Sequence, residues 1–503
     1  MKKITLQSLF LFCLFLFSCE PTQKLPTLNT DDGLIEFTFL QVNDVYEIAP
    51  LDGGKVGGMA RVATVYKELK AENPNTFFVL AGDFLNPSLI GTMKHEGKYI
   101  AGQQMIEAMN AAGVDLVAFG NHEFDVSEAT LQERLNNSNF TWIGTNVMHK
   151  KGNLLEPFCQ VKNGVKKPVP STYTWKIEDK DGTKLSIGMF SATINSNPKP
   201  FVDYQDYRLN GIRSYNELLA STDLVIGLTH LAMEEDIILA GEVPRVPLIM
   251  GGHEHHQMEK TVNNVKITKA DANAKTAYIH RFKYNTKTKT ATFTSEIKPI
   301  TDKIADELVT QKVVDKWNTI LENNVKSVYR TPRKIIYTAT TPLDGRSKSV
   351  RTKQTNLGQM IANGIKLSGK KPVAAAFVNA GAIRIDDQLE GKIEAIDIFR
   401  VLPFGGQIYE GDMKGADLIK LLTAASKKLG GGSFFQMSTS ITNNGQWSID
   451  GKAIDPAKIY HIAANDYLMK KNAAIIQNQN KPTENNDPRS DLRIAVINYM
   501  SKL

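Results

Sequence analysis

Five apolar runs in this chain break off at side chains that bind cations. TFLQV leads to Asn43 and Asp44, FFVLAG to Asp83, LVAFG to Asn121 and His122, LVIGLT to His230, and LIMGG to His253, His255 and His256. Any one of them reads equally well as a turn residue, a satisfied polar group or an exposed loop. Five strand ends carrying only Asp, Asn and His are harder to explain that way, because turns also draw Ser, Lys and Pro. Beyond the carboxyl ends of α/β strands, residues distant in sequence converge on one crevice. Carboxylate, carboxamide and imidazole without thiolate suit divalent zinc, manganese or iron. Six or seven such ligands exceed one tetrahedral shell and point to two ions about 3.5–4 Å apart, an arrangement suited to in-line displacement at phosphorus. Asp83 is the best candidate for the bridging carboxylate.

Such residues need a scaffold that places strand ends side by side. From residue 34 to about 298 short apolar strands alternate with amphipathic helices: strands 35–43, 76–81 and 114–119, helices 58–71, 101–112 and 127–136. This is the rhythm of an α/β domain. Residues 154–206 read as hairpins and loops, and 261–299 as Thr- and Lys-rich antiparallel strands. Ile304, Leu308, Val314, Trp317, Leu321 and Val325 fall at helical spacing and predict a connecting helix over 301–330. A second, smaller α/β domain follows over 331–503, with helix 355–368, strand 373–378, helix 413–429, strand 458–463 and a closing helix. NQNKPTENNDP, 478–488, is poor in apolar residues and is expected to be a surface loop.

At 503 residues the chain is long enough for two cores, and its net charge of +7 is spread along the sequence rather than gathered in a block. No duplex nucleic acid partner is expected. MKK, an apolar stretch and LFSC resemble a bacterial lipoprotein signal over residues 1–19, with Cys19 as the acylated anchor and 20–33 as a tether. The expected location is a bacterial cell envelope, lipid-anchored and periplasmic or surface-exposed. Cys159 is then the one cysteine in the folded part, so no internal disulfide is available.

The set ND-x-Y, GD, GNHEFD, TH and GGHEH resembles the calcineurin-like metallophosphoesterases. With its second domain, the chain resembles the 5'-nucleotidase family, whose bacterial members hydrolyse nucleotides and UDP-sugars outside the cytoplasm. The likeness runs from residue 34 to about 470, and GNHEFD, residues 120–125, is highly specific. It implies a four-layer α/β/β/α catalytic sandwich over 34–300 and a C-terminal substrate-binding domain. It also implies Asp44, Asp83 and His255 on one divalent ion, and Asp83, Asn121, His230 and His253 on the other. His122, oriented by Asp125, would stabilise charge on the phosphoryl or leaving group, with a metal-activated water as nucleophile.

Two departures stand out. Where the family usually has His, this chain has Tyr46. Either the phenol ligates an ion, or it packs or hydrogen-bonds while water fills the place. The second is favoured, because a phenol with pKa about 10 must lose its proton to compete. In the second domain, Arg346, Arg351, Asn379 and Arg384 are implied to steer phosphate and ribose, and Phe404 and Tyr467 to stack a base. The family's GGDG turn, whose Asp holds the ribose, is replaced by LMKKNAAI after Tyr467. The expected activity is release of phosphate from nucleoside 5'-monophosphates, with UDP-sugars or 2',3'-cyclic nucleotides as further substrates. The alternatives are a phosphatase for another ester and a non-catalytic nucleotide-binding surface protein. Against the last, binding alone needs no oriented histidine.

Overall fold

The computed structural model describes residues 31–196, 198–385, 387–480 and 491–503. The signal read over 1–19 with Cys19, the tether up to residue 30, and the loop read over 478–488 from residue 481 onward lie outside them. The first domain's two large sheets are built from β1 (Leu34–Val42), β2 (Thr76–Ala81), β3 (Leu116–Ala118), β4 (Thr141–Ile143), β5 (Thr172–Glu178), β6 (Lys184–Thr193), β7 (Leu224–His230), β8 (Leu248–Gly251), β9 (Met258–Val262), β10 (Val265–Lys269), β11 (Thr276–Asn285) and β12 (Thr290–Pro299). One sheet has the order β12-β11-β1-β2-β3-β4, the other β5-β6-β7-β8-β10-β9. Strands β1 to β4 run parallel, as do β6, β7, β8 and β10. The stretch 261–299 is therefore not antiparallel throughout. β10 pairs in parallel with β8, and its buried Val265 and Ile267 suit the interior of a parallel sheet.

Alternation along β1 sorts its side chains between two layers. Ile35, Phe37 and Phe39 point inward, against Trp175, Ile187, Met189, Ile226 and Leu228 of the other sheet. Leu40 and Val42 point outward into the cluster formed with α1 (Met59–Glu72), α2 (Gln103–Ala112) and α3 (Glu128–Asn137). On the far side, α4 (Tyr207–Ser221) and α5 (Met233–Glu242) cover the second sheet through Tyr215, Leu218 and Leu239. The result is the four-layer α/β/β/α sandwich. Each fully buried Phe or Leu contributes about 1.5–3 kcal/mol, so these layers are the main source of stability.

The connector is α6 (Leu308–Val328). It is packed onto α1 and α2, with Trp317 buried and its Nε1 donating to Glu107 Oε2 at 2.9 Å. Beyond it, β13 (Ala375–Asn379), β14 (Ile408–Lys414), β15 (Phe435–Met437), β16 (Ile459–Asn465) and β17 (Gln477–Asn480) form a sheet in the order β15-β13-β16-β14-β17. The helix expected from residue 413 starts at Gly415, because Met413 and Lys414 still pair with Tyr460 and Ile459.

Polar side chains, not apolar ones, fix the strand ends of the first domain. Gln41, the next inward residue on β1, donates to Gly251 O (3.0 Å) and Thr268 O (2.9 Å), tying the two sheets together. Glu123 is fully buried and takes four backbone amides. Its Oε2 accepts from Asp83 N (2.8 Å) and Gly120 N (2.6 Å), and its Oε1 from Phe84 N (2.7 Å) and Leu85 N (3.1 Å). One carboxylate thereby clamps the turn after β2 to the turn after β3. Glu123→Gln turns one accepting oxygen into a donor and strands two amides, each at a cost of about 1–3 kcal/mol. We expect a clear fall in the urea midpoint of the variant; an unchanged midpoint would refute the clamp.

Candidate metal centre

The carboxyl ends of β1, β2, β3, β7 and β8 lie together, and the residues that follow them meet. Asp44, Asp83 and His230 form a buried group whose ligand atoms all lie within 4.8 Å of one another. His230 Nε2 is 3.1 Å from Asp83 Oδ2 and 4.0 Å from Asp44 Oδ1, and His255 Nε2 is 3.2 Å from Asp44 Oδ1. The ring of His253 packs edge-on to that of His230 with centroids 5.3 Å apart, and its backbone N–H donates to Asp44 Oδ2 at 2.9 Å. Asn121 is buried beside them. His256 is exposed, with its Nδ1 2.8 Å from Glu254 O.

The turns that achieve this are costly. Asp44, Asp83, His253 and His255 all have positive φ, at 53°, 60°, 92° and 63°, in a region that side-chain-bearing residues disfavour. Close approach also demands glycine. A Cβ on Gly120 would stand 2.1 Å from Asp83 Oδ1, and one on Gly252 would stand 2.5 Å from Ala81 O.

The donor set fits a divalent cation. His230 Nδ1 lies 2.8 Å from Ala81 O, a contact that places the proton on Nδ1 and bares Nε2 toward the two carboxylates. That Nε2 and the buried Asn121 Oδ1 make no hydrogen bond. Lone pairs aimed at carboxylates call for positive charge between them. A proton on Nε2 is one answer: burial opposes it, yet Asp83 and Asp44 push His230 up to about 9. A metal ion in the same place is the other. Burial and the neighbouring His230 push His253 down to about 4, which keeps its imidazole neutral at pH 7 and able to ligate. Despite burial, His230 and His122 hold Asp83 far below the usual carboxylate range.

His122 stands at the edge of this group. Its Nδ1 is 2.7 Å from Asp125 Oδ2, and its Nε2 is 4.0 Å from Asp83 Oδ2. Burial lowers its basicity, but Asp83 and Asp125 more than compensate and raise it. Tyr46 is not mere packing. Its hydroxyl lies 3.0 Å from Asp83 Oδ2, 3.0 Å from His255 Nε2 and 3.4 Å from Asp44 Oδ1, among the side chains expected to hold the first ion.

The second domain closes over this centre, leaving a cleft of about 1410 Å³. Arg346, Arg351 and Arg384 line it together with His122, Asp125 and His253. Arg384 is near enough for its positive charge to act on both His122 and Asp125. Arg346 is held by Asp344 through two contacts of 2.9 Å. The other three do not line the cleft. Asn379 is occupied in its own domain, with Oδ1 accepting from Asn465 at 2.9 Å and Nδ2 donating to Gly432 O at 3.2 Å. Phe404 and Tyr467 are 61% and 50% exposed, and their segments meet where Asp466 N donates to Gln407 O at 2.8 Å; Lys471 Nζ lies 5.6 Å from the Tyr467 ring centre. Phe404 also lies 5.8 Å from the Arg384 guanidinium carbon.

Sequence reasoning missed Glu123 although it sits inside GNHEFD, where a carboxylate directly after His122 was itself a signal. It also missed Lys199, whose Nζ is 3.5 Å from Asp125 Oδ1 and which nothing in NSNPKP marks out.

Comparison with known proteins agrees with this geometry. Residues 37–257 match the family described as calcineurin-like phosphoesterase, and residues 335–477 the 5'-nucleotidase C-terminal domain. The trifunctional nucleotide phosphoesterase protein YfkN of Bacillus subtilis is 28% identical over 489 residues, covering 87% of this chain but only 32% of its own length. The 5'-nucleotidase of Mus musculus is 26% identical over 452 residues, covering 80% of this chain and 74% of its own. The 5'-nucleotidase precursor of Thermus thermophilus shares the fold with a TM-score of 0.66 at 19% identity, covering 93% of this chain and 96% of that one. The chain belongs to the 5'-nucleotidase family, a calcineurin-like phosphoesterase domain followed by a 5'-nucleotidase C-terminal domain, and is a hydrolase of phosphoric esters.

Proposed function

We propose that this chain is an exported, lipid-anchored phosphohydrolase that releases phosphate from nucleoside 5'-monophosphates and depends on two divalent ions. Asp44, Asp83 and His255 would hold one ion, and Asp83, Asn121, His230 and His253 the other. When bound, such a pair lowers the pKa of water toward neutrality and offsets charge developing on the phosphoryl oxygens. The chain's own residues supply the rest. Asp125 fixes the His122 ring through Nδ1 and leaves Nε2 facing the centre, where it can hold a proton for the leaving oxygen. Arg384 brings a fixed positive charge to the same edge, suited to an anionic substrate. Phe404 and Tyr467 offer rings to a base.

The observation that carries this reading is the His122–Asp125 pair set beside the buried Asp44, Asp83 and His230 group. A binding protein has no use for an oriented imidazole at that point. The likeness of the chain to named 5'-nucleotidases supports a nucleotide as the substrate. One observation favours a broader ester range: Asp466–Lys471 forms a helix where the family's ribose-holding glycine turn is expected.

The anchor rests on the sequence: MKK, an apolar stretch and LFSC at residues 16–19, followed by a polar tether to the fold. Leu34 begins β1 and the metal centre lies past its other end, nine residues on, or about 30 Å of strand. Cys19→Ser is expected to move the protein from the membrane fraction to the soluble one; retention in the membrane would refute the anchor.

The purified full-length chain is expected to release phosphate from AMP with added manganese or zinc and to stop with chelator. His122→Ala should lower kcat by about 10²- to 10⁴-fold while AMP still binds. Phosphate release from an aryl phosphate but not from AMP would select the broader reading. A parent protein that binds AMP and releases no phosphate from either compound would leave the binding protein as the answer.

A further inference from the structure

One buried ammonium group, outside the expected ligands, touches the chain beside three of them. Lys269 ends β10 and is 1% exposed. Its ammonium meets three oxygens: Leu231 O at 2.7 Å, Glu254 Oε2 at 2.6 Å and Asp236 Oδ2 at 2.8 Å. The first two are hydrogen bonds and the third is an ion pair, so a single positive charge answers two buried carboxylates.

Each contact leads to a histidine. Leu231 directly follows His230. Asp236, in the first turn of α5, accepts with its other oxygen from Thr229 Oγ1 at 2.6 Å, and Thr229 directly precedes His230. Glu254 lies between His253 and His255, and its second oxygen accepts from Met233 N at the start of α5. The group is packed tightly enough to dictate its neighbour. A Cβ on Gly251 would stand 3.0 Å from Lys269 Cε and 3.2 Å from Asp236 Oδ2.

As a source of stability this arrangement is poor, because apolar residues of similar volume commonly serve as well as a buried ion group. Direction is what it adds. β7 and β8 end in turns with little regular structure, and the His253 and His255 backbones are strained. Without a fixed point, the rings would take up other directions. We propose that Lys269 is a positioning residue of the metal centre, setting His230 through Leu231 and the Asp236–Thr229 contact, and His253 and His255 through Glu254. This inference rests on the two-metal reading above. Partners that orient metal ligands typically change affinity by about 10- to 100-fold when removed.

The test is metal affinity rather than turnover alone. In the full-length chain, Lys269→Met keeps an unbranched side chain, one atom shorter, and removes its charge. Manganese and zinc dissociation constants would be read by competition with a chromogenic chelator, alongside far-UV circular dichroism and the Tm of the metal-free protein. The expected result is weaker metal binding by about 10- to 100-fold, with kcat largely restored at saturating metal. A residue that served only the fold would lower the metal-free Tm and leave affinity alone, so a folded variant with the parent's affinity overturns the proposal. Should Lys269→Met not fold, the neutral triple variant Lys269→Met, Asp236→Asn, Glu254→Gln removes the buried unpaired charges, and the same two outcomes apply to it. If the parent itself binds no metal, the two-metal reading falls and takes this one with it. Equal binding by parent and variant overturns this one only.

Discussion

Asp44 and Asp83 are both wholly buried, and the first domain is arranged around keeping two carboxylates inside a protein. An isolated ionised carboxylate away from water is prohibitively costly, and a second one beside it makes matters worse. The chain answers with backbone amides and imidazoles. Asp83 Oδ1 accepts from His122 N at 2.8 Å and Asp44 Oδ2 from His253 N at 2.9 Å, while three imidazole Nε2 atoms lie within 4.0 Å of the pair. What those contacts leave over is room for positive charge, and the bare acceptors of His230 and Asn121 mark where it belongs. The glycines at 120 and 252 and the Glu123 clamp follow from the same need, because acceptors this crowded have to be held by backbone drawn unusually close.

Much of this was legible in the sequence, for a physical reason. A parallel sheet sends all its carboxyl ends to one side, so polar residues after apolar runs can be added up without knowing the strand order. Asp44, Asp83, Asn121, His230, His253 and His255 were found that way, and the structure gathers them. Strand partnership was less legible. β10 looks like one arm of a hairpin with β9, and nothing local tells that its other edge lies parallel to β8. Lys269 was invisible for a similar reason. Its meaning comes from Asp236 and Glu254, which are brought to it by tertiary packing, whereas in sequence it is one lysine among many. Tyr46 was seen as a departure, but whether its hydroxyl or only its ring mattered could be read only from the positions of Asp83 and His255.

The second domain shows the opposite balance. Its arginines were weak signals in sequence, each readable as surface charge, yet Arg346, Arg351 and Arg384 all line the cleft. Asn379 looked like a substrate contact and is instead engaged with Asn465 and Gly432. The connector also behaves differently from a simple linker. With Trp317 buried and Lys316 and Trp317 both bonded to Glu107, α6 is attached to the catalytic domain. The covalent joint between the domains is thus confined to the few residues after Val328, while Lys275 and Asp387 pair across the cleft.

The positive φ angles of Asp44, Asp83, His253 and His255 bear on how the chain can change over time. Glycine would relax each of these backbones, and an apolar neighbour would remove the burden of buried charge. Selection for folding alone would therefore erode all four positions. Their joint presence in one chain, each at an energetic disadvantage to itself, is a mark of work being selected for, and it can be read without comparing this sequence to any other. It also sets the direction of decay: a descendant freed from its chemistry would become sturdier as it fell silent.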